Sequence, residues 1–158
     1  MRVKGDEALI KSLNEFGDKL ARKVLRKAGS KAATPVAKAA RKMVKPVSPT
    51  IAKSIGTKVK IYKKSGNLIV AVGPKRDTPK SPSGHNPSKT AHLVDRGTAP
   101  HMIRLFGRVK FRHPGAKATP FLEPAKAETE RETQRIFTRE LAAGIEKLAA
   151  EADAKNQG

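Results

Sequence analysis

The chain of 158 residues carries 34 Lys and Arg against 14 Asp and Glu, a formal charge of +20, and no cysteine. The missing cysteines exclude a disulfide framework and thiolate metal sites. No apolar run approaches the roughly eighteen residues of a membrane span, and MRVKGDEALI lacks the apolar block of a signal peptide, so a protein that is soluble and intracellular when made is expected. The length fits one domain over residues 1–158.

The charge is uneven. Residues 1–60 hold 16 basic and 4 acidic side chains, residues 61–120 hold 12 and 2, and residues 121–158 hold 6 and 8. A positive excess of this size favours polyanions or acidic protein surfaces through long-range attraction and counterion release. A solvated basic surface with no specific partner is the alternative.

From Asp6 to about Val44 apolar residues recur every three or four positions, from Leu9, Leu13 and Phe16 through Leu20 and Val24 to Ala40 and Met43. This predicts a long N-terminal helix with Asp6 and Glu7 at its start. Gly29-Ser30 lowers helix propensity and Pro35 removes one backbone bond, which predicts a kink or break near residues 29–35. Lys19, Lys23, Lys27 and Lys31 form a row at i, i+4 spacing with Arg22 and Arg26 beside it. Like charges so spaced cost about 0.2–0.5 kcal/mol per pair in an isolated helix. The row is therefore a candidate basic interaction face, for nucleic acid or for acidic protein, or else a face that the helix tolerates in solvent.

Pro46 and Pro49 end the helical region. Val59 and Ile61 alternate with lysines, and Leu68–Gly73 follows Ser65-Gly66-Asn67. This reads as a β-hairpin with one buried face, its second strand the more buried. Residues 74–90 hold four prolines and almost no apolar side chains, which reads as a long mobile loop. Met102–Phe106 and Val109–Arg112 around Gly107 read as a second hairpin or a bent strand pair, rich in Arg and Lys on its outer side.

Between these lies a corner. Gly97 can take positive φ, Thr98 can bond its own backbone, and Asp95, two residues before the bend, is placed to accept from the N–H groups of Gly97 and Thr98. Thr119 and Pro120 carry the signature of an N-cap with proline at the first helical position, ahead of Phe121. The helix opened there runs to about Ala152, with a frayed tail at 153–158, and its middle from Lys126 to Arg135 is almost wholly polar. That gap suggests a helix extending past its own core to a neighbouring subunit, or offering its acids to the basic first helix.

The order of segments carries a resemblance. It starts with Val3-Lys4-Gly5, continues through a basic helix, a proline turn and a hairpin ending Val72-Gly73-Pro74, and reaches the corner Val94-Asp95-Arg96-Gly97-Thr98. Pro120-Phe121-Leu122-Glu123-Pro124-Ala125 then opens the last helix. In this order the chain resembles the small tail-component family of long-tailed phages typified by gene product ten of a lambdoid phage, the neck, tail-completion or head–tail joining proteins. Members usually carry Thr-Gly before the short helical turn, where this chain has Pro49-Thr50. The resemblance implies a structural virion protein, assembled as a ring at the head-proximal end of the tail, with a hexamer as the first guess. It implies neighbouring connector, tail-terminator or tail-tube proteins, DNA passing through the lumen, no cofactor and no membrane, with residence in the host cytoplasm during assembly.

The residues support no enzyme. His85, His92, His101 and His113 are scattered, and no nucleophile lies beside a base. Aromatics make up 4% of the chain, too few for base-stacking platforms. The expectation is an α+β fold, its basic N-terminal helix and C-terminal helix packed on a small, mostly antiparallel sheet of three to five strands. A basic nucleic-acid-binding protein, ribosomal-like or DNA-coating, is the alternative.

Overall fold

The computed structural model describes residues 18–62, 67–76, 84, 86–105 and 109–156. Four helices and four strands are described, in the order α1 (Asp18–Val44), α2 (Pro49–Ser54), β1 (Ile55–Ile61), β2 (Leu68–Pro74), α3 (Pro87–Arg96), β3 (His101–Leu105), β4 (Val109–His113) and α4 (Leu122–Asn156). The expected helix start at Asp6 lies outside the described residues. So do residues 77–83 and 85 of the stretch read as a mobile loop, together with Gln157 and Gly158.

The fold is α+β. Its strands form two separate two-stranded sheets, β1–β2 and β3–β4, rather than a single sheet of three to five strands. Each strand pairs with its sequence neighbour across a short connection, which permits antiparallel pairing, whereas joining the hairpins into one sheet would need a long crossover. The described residues cluster into two compact units.

The first unit comprises the described parts of Met1–Ala37, Thr57–Val72 and Thr129–Gly158. Its core joins Ala21, Ala28 and Ala32 of α1 to Phe137, Leu141 and Leu148 of α4, flanked by Val24, Leu25, Leu68, Ile136 and Ile145. Small residues let the elements come close. A Cβ on Gly144 would lie 2.4 Å from Val24 Cγ1, and one on Gly29 would lie 3.0 Å from Val70 Cγ2. Gly29 therefore admits β2 to the helix surface rather than ending the helix. Of the two outcomes expected near residues 29–35, the break is absent: α1 runs on with Pro35 inside it. Packing of its alanine-rich faces outweighs the bond that Pro35 cannot donate.

The polar middle of α4 is not an empty face. Thr129 and Thr133 are buried, continuing the stripe from Ala125 to Phe137, and Thr133 Oγ1 has no hydrogen-bond partner among the described residues. A count of charged and polar letters hides this burial.

The second unit comprises Lys38–Gly56 and the described parts of Gly73–Glu128. Ser48 caps α2, its Oγ accepting from Ile51 N at 3.3 Å, with Pro49 in the first turn. This replaces the Thr-Gly turn of the family pattern. The Arg41 guanidinium donates from Nε and Nη2 to the Ile55 carbonyl at 3.2 and 2.7 Å, tying the end of α1 to the start of β1. Ile55 and Gly56 are buried, so the more buried end of the first hairpin is the start of β1, not β2. The helix α2 packs on α3.

The start of α3 falls inside the stretch 74–90 that the composition reads as loop. Asn86 Oδ1 accepts from Ser88 N at 2.9 Å and Ser88 Oγ at 2.8 Å, with Pro87 in the first turn. An N-cap followed by proline is the same signature that marks Thr119-Pro120 in the sequence.

Candidate functional site

At the corner, α3 ends on Gly97 with φ of 72°. Beyond it Thr98 N donates to Ala116 O at 2.9 Å and Ala116 N donates to Thr98 O at 3.1 Å, closing the root of the β3–β4 hairpin. A Cβ on Gly97 would lie 2.6 Å from Ala116 O, and one on Gly115, at φ of 86°, would lie 2.2 Å from Thr98 O. Each strand of the root thus approaches a glycine on the other side, and side chains at either position would force it open.

Asp95 has a different role from the expected one. Its Oδ1 accepts from Phe121 N at 2.9 Å and Leu122 N at 3.3 Å, so it caps α4 from a distance instead of fixing the Gly97–Thr98 turn. The helix also starts later than Thr119-Pro120 suggests. Thr119 N donates to Val94 O at 2.8 Å, and the first helical bond runs from Ala125 N to Phe121 O at 3.4 Å. Phe121, fully buried, fixes the start, yet its own side chain has no oxygen with which to cap the exposed N–H groups. Asp95 supplies that acceptor, and its charge also suits a helix N-terminus. Asp95, Gly97, Thr98, Thr119 and Phe121 are thus brought together, with exposed Pro120 between them in sequence.

The basic row lies in the first unit. Lys19 is on the α1 backbone, its side chain outside the description, while Lys23, Arg26 and Lys27 are exposed and Arg22 is half-buried and engaged. Lys31 Nζ meets Glu140 Oε2 of α4 at 2.7 Å, and Arg139 lies 3.7 Å from the same carboxylate. The hydrogen bond from Lys31 holds the Glu140 carboxyl below its ordinary value, partial desolvation opposes this, and the charges of Lys31, Arg139 and Lys27 add to the lowering. Of the two partners open to the acids of the last helix, the intrachain one is therefore realised at Lys31.

The second hairpin gathers residues that the sequence scatters. Its register sets His101 opposite His113, Met102 opposite Arg112, Ile103 opposite Phe111 and Arg104 opposite Lys110. Directly opposed residues share a face, so Met102, Arg104, Lys110 and Arg112 line one side and Ile103 and Phe111 the other. All four of the first group are exposed, Met102 by 57%. The outer-side cations were legible in the strand pattern, but their register was not.

The imidazoles of His101 and His113 lie 5.1 Å apart, centroid to centroid. His101 Nδ1 donates to Ala99 O at 2.9 Å, and His113 Nδ1 accepts from Gly115 N at 3.1 Å. Among the described residues no group of three or more His, Cys, Asp or Glu is placed to hold a metal ion. No helix among them is long and apolar enough to cross a membrane.

Residues 7–97 match the family described as "Bacteriophage HK97-gp10, putative tail-component". The chain belongs to this family. The match spans α1 through the corner glycine Gly97, while β3, β4 and α4 follow it. Neither curated proteins nor solved structures yield a match. Family membership supports a structural part of a phage tail, in contact with other tail or head proteins.

Proposed function

We propose that this tail component forms a ring at the head-proximal end of the tail and completes the joint between tail and head, as a structural rather than catalytic part of the virion. The family match supports the tail part of this reading, and it covers the helix, the first hairpin and the corner as far as Gly97. The surface suits it. Leu20, Val47, Ile69, Leu93, Met102 and Phe111 are large apolar side chains left exposed in the free subunit, and contacts repeated around an axis would cover such side chains. A hexamer is the first expectation for copy number, with connector, tail-terminator or tail-tube proteins as neighbours and the host cytoplasm as the place of assembly.

Light scattering of the purified chain, alone and mixed with its tail neighbours, tests this. A subunit of 17.1 kDa that assembles to a closed multiple of that mass in either condition supports the ring. A monomer in both, at all concentrations, refutes it.

A further inference from the structure

We infer that the basic face of the β3–β4 hairpin, formed by Arg104, Lys110 and Arg112, is a docking surface for duplex DNA. The choice of a polyanion rests on the charge of this face, and the choice of duplex DNA among polyanions rests on the tail reading; neither depends on the ring.

Three observations mark this face, and the second of them sets it apart from the row on α1. Arg104 stands directly opposite Lys110, an arrangement that costs stability in a sheet, and a ribbon of two strands has little stability to give up. Among the described residues, none of the three cations meets a carboxylate. Residues 96–122 contain six Lys and Arg and no Asp or Glu, so the chain around the hairpin offers no local compensation. The α1 row differs on the second count, since Glu140 already sits against Lys31 and within the field of Lys27.

An external polyanion supplies the missing countercharge. Guanidinium forks pair with phosphate oxygens in a bidentate manner, and a two-stranded ribbon is narrow enough for the major groove. Exposed Met102 shares the face with the cations and adds apolar contact that ordinary solvation would not favour.

The test uses the full chain and a labelled, mixed-sequence duplex of about 30 base pairs, titrated at salt from about 50 to 200 mM. One variant carries Arg104→Gln, Lys110→Gln and Arg112→Gln; a control of equal charge change carries Lys23→Gln, Arg26→Gln and Lys27→Gln. The hairpin variant is expected to lose roughly tenfold or more in affinity and about 2 to 3 units of the salt slope, near 0.9 per phosphate contact. The control keeps most of both. Arg104→Lys with Arg112→Lys, which preserves the charge, retains the slope and shows that the ribbon survives substitution. Equal losses in the hairpin variant and the control would mean that net charge alone binds DNA, and would overturn the proposal. A hairpin variant that binds DNA as wild type but no longer self-associates would overturn it too, in favour of a protein neighbour. A chain that stays monomeric while only the hairpin variant loses slope would sink the ring and leave this inference standing.

Discussion

The two hairpins are alike in sequence pattern and unlike in support. In β1–β2, half-buried Leu68, Val70 and Val72 alternate with exposed Ile69 and Ala71, and the inner side chains rest on α1 where Gly29 makes room. In β3–β4 the corresponding apolar face leaves Phe111 41% exposed, and the other face is wholly exposed among the residues described. Since an isolated two-stranded ribbon is marginal in water, the second hairpin depends on its root: the Thr98–Ala116 bridge, the paired glycines and the Asp95 cap. Alternation in sequence fixes which side chains share a face. What covers the face is decided elsewhere in the chain.

The sharpest way to break the contrast is to overfill the first hairpin's seat. Gly29→Leu sets a branched side chain where a Cβ alone would already lie 3.0 Å from Val70 Cγ2, and should cost about 1–3 kcal/mol by denaturant unfolding. Phe111→Ala, in the exposed face of the other hairpin, should stay within about 1 kcal/mol of wild type in the same assay. Equal losses would show that the second hairpin is held by its faces after all.

A smaller effect is expected at the root. Asp95→Ala leaves the Phe121 and Leu122 N–H groups without their acceptor and should lower stability by about 0.5–2 kcal/mol, whereas Asp95→Asn, which keeps an oxygen, should recover much of the loss. Amide exchange should rise at Phe121 and Leu122 in the alanine variant. Unchanged exchange there would show that Asp95 caps nothing in solution.

The smallest effect concerns the Lys31–Glu140 pair beside the first hairpin. Glu140 has its carboxyl lowered in the folded chain, so its contribution to stability is present above its ordinary value of 4.5 and is lost as pH falls through the lower folded value. Glu140→Gln should flatten the acid limb of the stability profile in that window and leave the neutral region nearly unchanged. A profile that coincides with wild type would mean that the pair is not populated.

These contrasts also explain what the sequence discloses. The α+β class, the helix of α1, both hairpins and the bend at Gly97 are legible because periodicity, alternation and positive φ are local properties of residues such as Ala28, Val70 and Gly97. The roles of Asp95 and Gly29 are not, because each acts on a partner distant along the chain: Asp95 on Phe121, and Gly29 on Val70. Thr133 is hidden for a related reason, as its burial depends on the turns of α4 around it and not on its own polarity. The start of α3 was readable in principle, since Asn86-Pro87 carries a cap and a first-turn proline, but the prolines and polar residues around it masked the signal.

The union of α1 with α4 has a consequence for how the molecule comes into being. Lys31 and Glu140 stand 109 positions apart, and the same two helices supply the first unit's buried cluster. Contacts so distant in sequence are slow to form and cannot close until α4 has left the ribosome. The contacts of the β3–β4 ribbon, by contrast, join near neighbours and can zip as soon as His113 emerges. During synthesis α1 therefore waits for most of its partners, and a nascent chain cut short before Phe137 has Leu68 and Val70 of β2 beside Gly29 but no Glu140 for Lys31. The helix translated later is the one that the earlier helix needs.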